Sequence, residues 1–275
     1  MKGKFYLDTS VVRADINRLM ELSKSTSIHV SAYNIVELLS QLSEKTFTTL
    51  APIFRKIDQS YIKLDYRLPE DIIAKSYNLK YRFSKKKLIG SFFKKVTISN
   101  SYQSFLEGIS KVDYQSMLLY DRLFYPPSDS IQKNELLDIR KAFQREYGMS
   151  YKSTLFKKEL LSEEFFRIFL RRIRKSLLFY ILGRLTKTNK SLETIEETLN
   201  SYNGKIDCFL HGFSDYFAVK YSQQNFIGRN DYSDLLHLVY LGNLDSKISF
   251  IYRDDLYRKL RFELSEKMVH AQDVF

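Results

Sequence analysis

Four acidic residues, Asp8, Glu37, Asp231 and Asp254, have the residue type and the setting to hold a hard divalent cation. Each lies at or just past the end of a short apolar strand, or one helical turn further on. The surrounding segments are Phe5-Tyr-Leu-Asp-Thr-Ser10, Asn34-Ile-Val-Glu-Leu38, Asp231-Tyr-Ser-Asp-Leu-Leu-His-Leu238 and Ile248-Ser-Phe-Ile-Tyr-Arg-Asp-Asp-Leu256. In open α/β sheets ligands bind outside the carboxyl ends of the strands, so these positions are expected to share one edge. Carboxylates gathered there repel one another unless cations compensate, which suits Mg²⁺ or Mn²⁺ held through oxygen ligands and water. Metal in such a site lowers the pKa of a water, orients a scissile phosphate and stabilises the leaving oxygen. The chemistry expected is phosphodiester hydrolysis with no protein nucleophile.

Taken singly, each acid has a plainer explanation. Asp8, Asp231 and Asp254 stand where a helix is about to begin, and Asp231 followed by Asp234 resembles a capping box. Glu37 falls inside a helix, where Asn34, Glu37 and Gln41 make a polar stripe that a solvent-facing side also produces. Asp254 and Asp255 are adjacent, and a one-residue change of register exchanges them. Joint placement on one sheet edge is what separates the four from ordinary caps.

The elements that must position them alternate. Lys4–Leu7 reads as a strand, followed by an amphipathic helix near residues 11–22. Ile28–Ser31 reads as a second strand running into a helix over 32–42, whose apolar members follow a 3.6-residue period. Tyr61–Asp65 alternates as a third strand, and Pro69-Glu-Asp opens a helix expected to reach Tyr81. The pattern returns near the end, with a helix over 232–241, a strand over 247–252, a helix over 256–264 and a short strand over 267–270. This predicts an α/β fold, a parallel sheet wrapped by helices. Residues 1–82 and 222–275 are expected to form one discontinuous domain, interrupted by a basic, mainly helical insertion over 83–221. Within the insertion, Tyr125-Pro-Pro-Ser-Asp129 reads as a loop, residues 132–146 as helical and 162–185 as strongly periodic.

Composition narrows the partners. The 275 residues include 44% hydrophobic and 15% aromatic side chains with 9 Gly and 4 Pro, enough for a sizeable core. The net charge of +12 persists despite 32 acids, which points to phosphate polymers; a basic surface kept for solubility is the competing reading. No apolar run approaches the roughly 20 residues of a membrane span, and no signal sequence is expected, so the cytoplasm is the expected compartment. The single cysteine, Cys208, excludes an internal disulfide framework and reads as an inert buried thiol. The histidines show no paired ligand spacing, and His237 reads as a packed or capping group. Basic stretches with interleaved Phe and Tyr nominate Lys85, Lys86, Lys87, Arg171, Arg172, Arg174 and Lys175 as phosphate contacts; ordinary amphipathic packing explains the same pattern.

In order and strand context, the four acidic segments resemble the motifs of the PIN-domain nucleases: the hydrophobic-Asp-Thr-Ser of Phe5–Ser10, the Asn-x-x-Glu-Leu of Asn34–Leu38, the Asp-led helix Asp231–Leu238, and the hydrophobic-x-x-Asp of Ile251–Asp254. The resemblance covers roughly 1–82 and 222–275. It implies a Rossmann-like α/β/α sandwich and Mg²⁺- or Mn²⁺-dependent cleavage, usually of RNA. It makes Asp8, Glu37, Asp231 and Asp254 the ligands, with Asp234 and Asp255 as additional acids and Ser10 and Asn34 as hydrogen-bonding groups behind them. The chain departs from the family in the roughly 140 residues between the third strand and the Asp-led helix, and in Tyr252-Arg253 where a small hydroxyl residue is common. The long segment is expected to offer a substrate surface or a docking surface for a protein. Two other readings are a catalytically silent PIN-like module that binds nucleic acid or protein, and a toxin-like ribonuclease held by an antitoxin.

Overall fold

The computed structural model describes residues 3–79, 86–118, 129–148, 150, 152–171 and 192–275. Its centre is a sheet of five strands, β1 (Lys4–Leu7), β2 (Ser27–Ser31), β3 (Lys63–Asp65), β4 (Ile248–Tyr252) and β5 (Met268–His270). They run in the order β3-β2-β1-β4-β5, and every pairing is parallel. The sheet grows outward from β1 in both directions, so the chain reverses between β1 and β4. In sheets of this kind, ligands bind outside the carboxyl ends of the strands at such a reversal.

Helices α1 (Thr9–Ser23), α2 (Ala32–Ser40), α3 (Phe47–Asp58) and α4 (Pro69–Ser76) make the first crossovers. Then come α5 (Lys86–Ile98), α6 (Tyr102–Glu107), α7 (Lys111–Leu118), α8 (Asp129–Tyr147), α9 (Thr154–Leu160), α10 (163–171), α11 (Leu192–Asn200) and α12 (Asp207–Ser222). Helix α13 (Arg229–Leu236) runs straight into a 3₁₀ turn, His237–Leu241, and α14 (Asp255–Arg258) follows β4. Among the described residues, no helix is long and apolar enough to cross a membrane.

Side-chain alternation sorts the sheet faces. Tyr6 and its register partner Phe250 meet Tyr240 and His237 of the 3₁₀ turn. Phe5 and Leu7 point the other way, and α1 packs on β2, β4 and α3. The buried residues form one cluster from Phe5 to Ala271. It takes in Phe92, Phe93, Phe105 and Tyr114 from the helices after residue 83, and Phe209, Phe213 and Phe217 of α12.

Several elements differ in extent from the sequence reading, for local reasons. The helix that opens at Pro69 stops at Ser76 rather than Tyr81, because Asn78 adopts a left-handed conformation with φ of 55° and ends it. The helix expected over 256–264 is only α14, which ends at Arg258 with Lys259 as its C-cap, and a separate 3₁₀ turn opens at Phe262, whose φ is 53°.

Candidate active site

Carboxylates from four elements lie near the carboxyl ends of β1 and β4, close enough to act on one another. Asp8 ends β1, and its amide donates to the Ile251 carbonyl of β4 at 2.9 Å, which locks the two strand ends together. Asp8 occupies the N-cap position of α1, yet its side chain caps nothing; it accepts a hydrogen bond from Ser10 Oγ instead. The carboxylate is therefore free of the role that would explain it most simply. It is 5% exposed, and burial pushes its pKa up, with the charges of Glu37 and Asp254 adding to the rise against His237 and Ser10.

Asn34 brings Glu37 to Asp8. Fully buried at the start of α2, its amide donates to the Leu7 carbonyl at 3.0 Å and to Thr9 Oγ1 at 2.9 Å, while its oxygen accepts from the Ser31 amide at 2.8 Å. Helix α2 is thereby pinned to the end of β1, and Glu37, one turn on from Asn34, reaches the same strand end. Its carboxylate accepts from Thr9 Oγ1 and from Ser233 Oγ at 3.3 Å, and lies 3.0 Å from His237 Nε2. Ser233 is in turn 2.5 Å from Tyr33 Oη.

On α13 the structure separates two acids that stand three residues apart. Asp231 accepts from the Gly228 amide at 2.8 Å and from Tyr216 Oη at 2.8 Å, and pairs with Lys220 Nζ at 2.9 Å. Burial works against its ionisation, but these three partners hold its pKa below the usual value. Asp234 sits among the other acids. Burial lifts its pKa to about 7, with Glu37, Asp8 and Asp254 adding to the rise against His237. Asp254 accepts from the Leu256 amide at 2.7 Å, so it caps α14 while its charge acts on both Asp8 and Asp234. Asp255 points to solvent, its side chain 81% exposed and 3.8 Å from Arg258.

Facing these acids is His237, 1% exposed and three residues after Asp234. Burial opposes its imidazolium form, yet Glu37, Asp8 and Asp234 raise its pKa. Its Nδ1 is buried without a hydrogen-bond partner. The Tyr257 hydroxyl donates to the Asp234 carbonyl at 2.6 Å and lies in the field of all four acids. His237, Thr9, Ser233 and Tyr257 are the site neighbours that motif reading passes over; the i, i+3 spacing of Asp234 and His237 is the one local signal that joins them.

The donor set is all oxygen on the acid side, which matches hard divalent cations rather than soft ones. Among the described residues, no group of three or more His, Cys, Asp or Glu side chains is already gathered tightly enough to hold a metal ion. The acids instead take hydroxyl, amide and imidazole partners, as unscreened carboxylates do. Of the expected phosphate contacts, Lys87 and Arg171 are exposed on α5 and α10. Lys85, Arg172, Arg174, Lys175 and the side chain of Lys86 lie outside the described residues.

A scan against protein-family models, a search of curated proteins and a search of solved structures each give no match.

Proposed function

We propose that this chain is a metal-dependent nuclease of PIN-like type that hydrolyses phosphodiester bonds, RNA in preference to DNA. Mg²⁺ or Mn²⁺ would be held by Asp8, Glu37, Asp234 and Asp254. The observation that supports the reading is the approach of four carboxylates from separate elements at the reversal of strand order, where Glu37 and Asp254 add to the cost of ionising Asp8, and all three add to that of ionising Asp234. A divalent cation removes that cost and supplies an activated water and charge stabilisation at the leaving oxygen.

The chain's own groups have distinct parts in this reading. Ser10 orients Asp8, while Thr9, Ser233 and His237 orient Glu37. Asp254, the exposed member, stands at the mouth. Asp234 takes the ligand position on α13, and Asp231 serves to hold Lys220 and Tyr216 beside it.

The test compares wild type with an Asp8→Asn/Asp234→Asn double variant on single-stranded RNA with Mn²⁺, alongside calorimetric titration of Mn²⁺. The expected result is cleavage and metal binding by wild type and loss of both in the variant. Equal cleavage by the two proteins would trace the activity to a contaminant and sink the assignment. RNA affinity with no metal binding by wild type would support the silent binding module instead.

A further inference from the structure

A second charged cluster lies on the same sheet face as Asp8, toward the amino ends of the strands. Lys4 of β1, Ser27 and His29 of β2 and Lys63 of β3 point to one side by alternation. The register sets Lys4 opposite Ser27 and His29 opposite Lys63. Three of them are linked: Lys63 Nζ is 3.3 Å from Ser27 Oγ, which is 3.0 Å from His29 Nε2. Lys4 Nζ lies 4.7 Å above the Tyr6 ring, and that ring packs on His29 and Tyr240. Arg67 stands past the carboxyl end of β3, 49% exposed at its side chain, and its charge still acts on Lys4.

Among the described residues these cations are only partly compensated. The acid within reach is Asp65, and its carboxylate is already engaged by Tyr6 Oη at 2.5 Å and by the Arg67 guanidinium at 2.5–3.2 Å. Burial lowers the Lys4 pKa and Asp65 opposes this, while Arg67 and Lys63 push it further down. His29 is driven to about 4 by burial and then by Lys4 and Lys63, so its ring is neutral at physiological pH and offers hydrogen bonds without adding charge. Lys4 and Lys63 stand on either side of β2, and the effect of Lys63 and Arg67 on Lys4 has the sign that a bound anion relieves.

We propose that Lys4, Lys63 and Arg67, with Ser27 and His29, form a binding corner for the phosphates of a single-stranded nucleic acid. Lys4 and Ser27 lie four residues before Asp8 in register, about 13 Å away at strand rise, and His29 and Lys63 lie level with Tyr6, two residues before it. Tyr240 and the 3₁₀ turn cover Tyr6 between the two sites, so a strand joining them runs along the β3 edge, where Arg67 stands. The choice of nucleic acid over another polyanion rests on the nuclease reading; the anion site itself does not.

The test is fluorescence anisotropy of a labelled single-stranded RNA of roughly ten nucleotides, with full-length protein and chelator present to stop cleavage, over a salt series. Lys4→Gln/Lys63→Gln is compared with wild type and with Lys157→Gln/Lys158→Gln, which removes the same charge from exposed positions on α9. Loss of two phosphate contacts predicts that the slope of log K against log salt falls by about 1.4, with affinity down roughly tenfold. The α9 variant should retain the wild-type slope. An unchanged slope in Lys4→Gln/Lys63→Gln, or an equal change in both variants, would overturn the proposal. Cleavage retained by Asp8→Asn/Asp234→Asn would remove the nuclease reading and leave this binding result standing.

Discussion

Asp231 and Asp234 stand three residues apart on one helix and are put to opposite uses. Asp231 is charged, paired and engaged with the amide at the helix start; Asp234 is held in a field of like charge that opposes its ionisation. Asp231→Asn weakens the Lys220 pair and the Gly228 contact, so it should cost about 1 kcal/mol in denaturant unfolding. It should leave Mn²⁺ titration unchanged, whereas Asp234→Asn should abolish the Mn²⁺ signal in the same instrument. Asp65 supplies a pH signature well away from these acids. Burial opposes its charge, but Arg67 and Tyr6 bring its pKa down to about 2 from an unfolded value near 3.8. A pKa depressed by folding adds stability above the unfolded value, and that stability disappears as pH falls from about 4 toward 2. With screening at the half-exposed Arg67, the amount is about 1–2 kcal/mol. Thermal unfolding of Asp65→Asn between pH 6 and pH 2.5 should therefore lose less stability than wild type; equal loss would count against the pair.

Elements are joined at the site by side chains far apart in sequence. Arg253 donates to both carboxylate oxygens of Asp15 at 2.7 and 2.8 Å, tying the β4–α14 junction to α1 at a residue whose non-helical backbone kinks the helix. Asp15 is 5% exposed, so Arg253→Met leaves a nearly buried charge with only the 3.8 Å contact to Arg18 and should cost about 2–3 kcal/mol. Asp15→Asn in the same chain should recover part of that loss, which a double-mutant cycle by denaturant unfolding measures. Helix α12 approaches the 3₁₀ turn through Gly212, where an added Cβ would sit 2.3 Å from Leu238 Cδ1. Gly212→Ala should therefore destabilise by about 1–3 kcal/mol, read as a lowered Tm. Neither contact shows in local sequence, since each joins residues well outside a single pattern window. Helix α3 is obscured in another way: Pro52 lies inside it and interrupts the helical signal.

For the whole molecule, the helices after residue 83 share the core of the sheet. Phe93 is fully buried and packs on Phe54 of α3 with ring centroids 5.6 Å apart. Phe93→Ala should cost about 3–5 kcal/mol and shift one cooperative transition seen by both far-UV and near-UV circular dichroism. A separate early transition for the helical part would show that it folds on its own. Local sequence was enough for the strand–helix alternation, because apolar period and cap chemistry act over a few residues. It was also enough to set Asp8 and Asp254 at element junctions and Glu37 one turn into the helix after β2. Tertiary structure alone decided strand order, and with it the meeting of β1 and β4 that brings those positions together. It also decided which acid of α13 joins them: Lys220 and Tyr216 reach Asp231 from the preceding helix, while Asp8, Glu37 and His237 surround Asp234. Cap chemistry is local and equally available to many aspartates, whereas a shared electrostatic field exists only after distant parts of the chain have packed together.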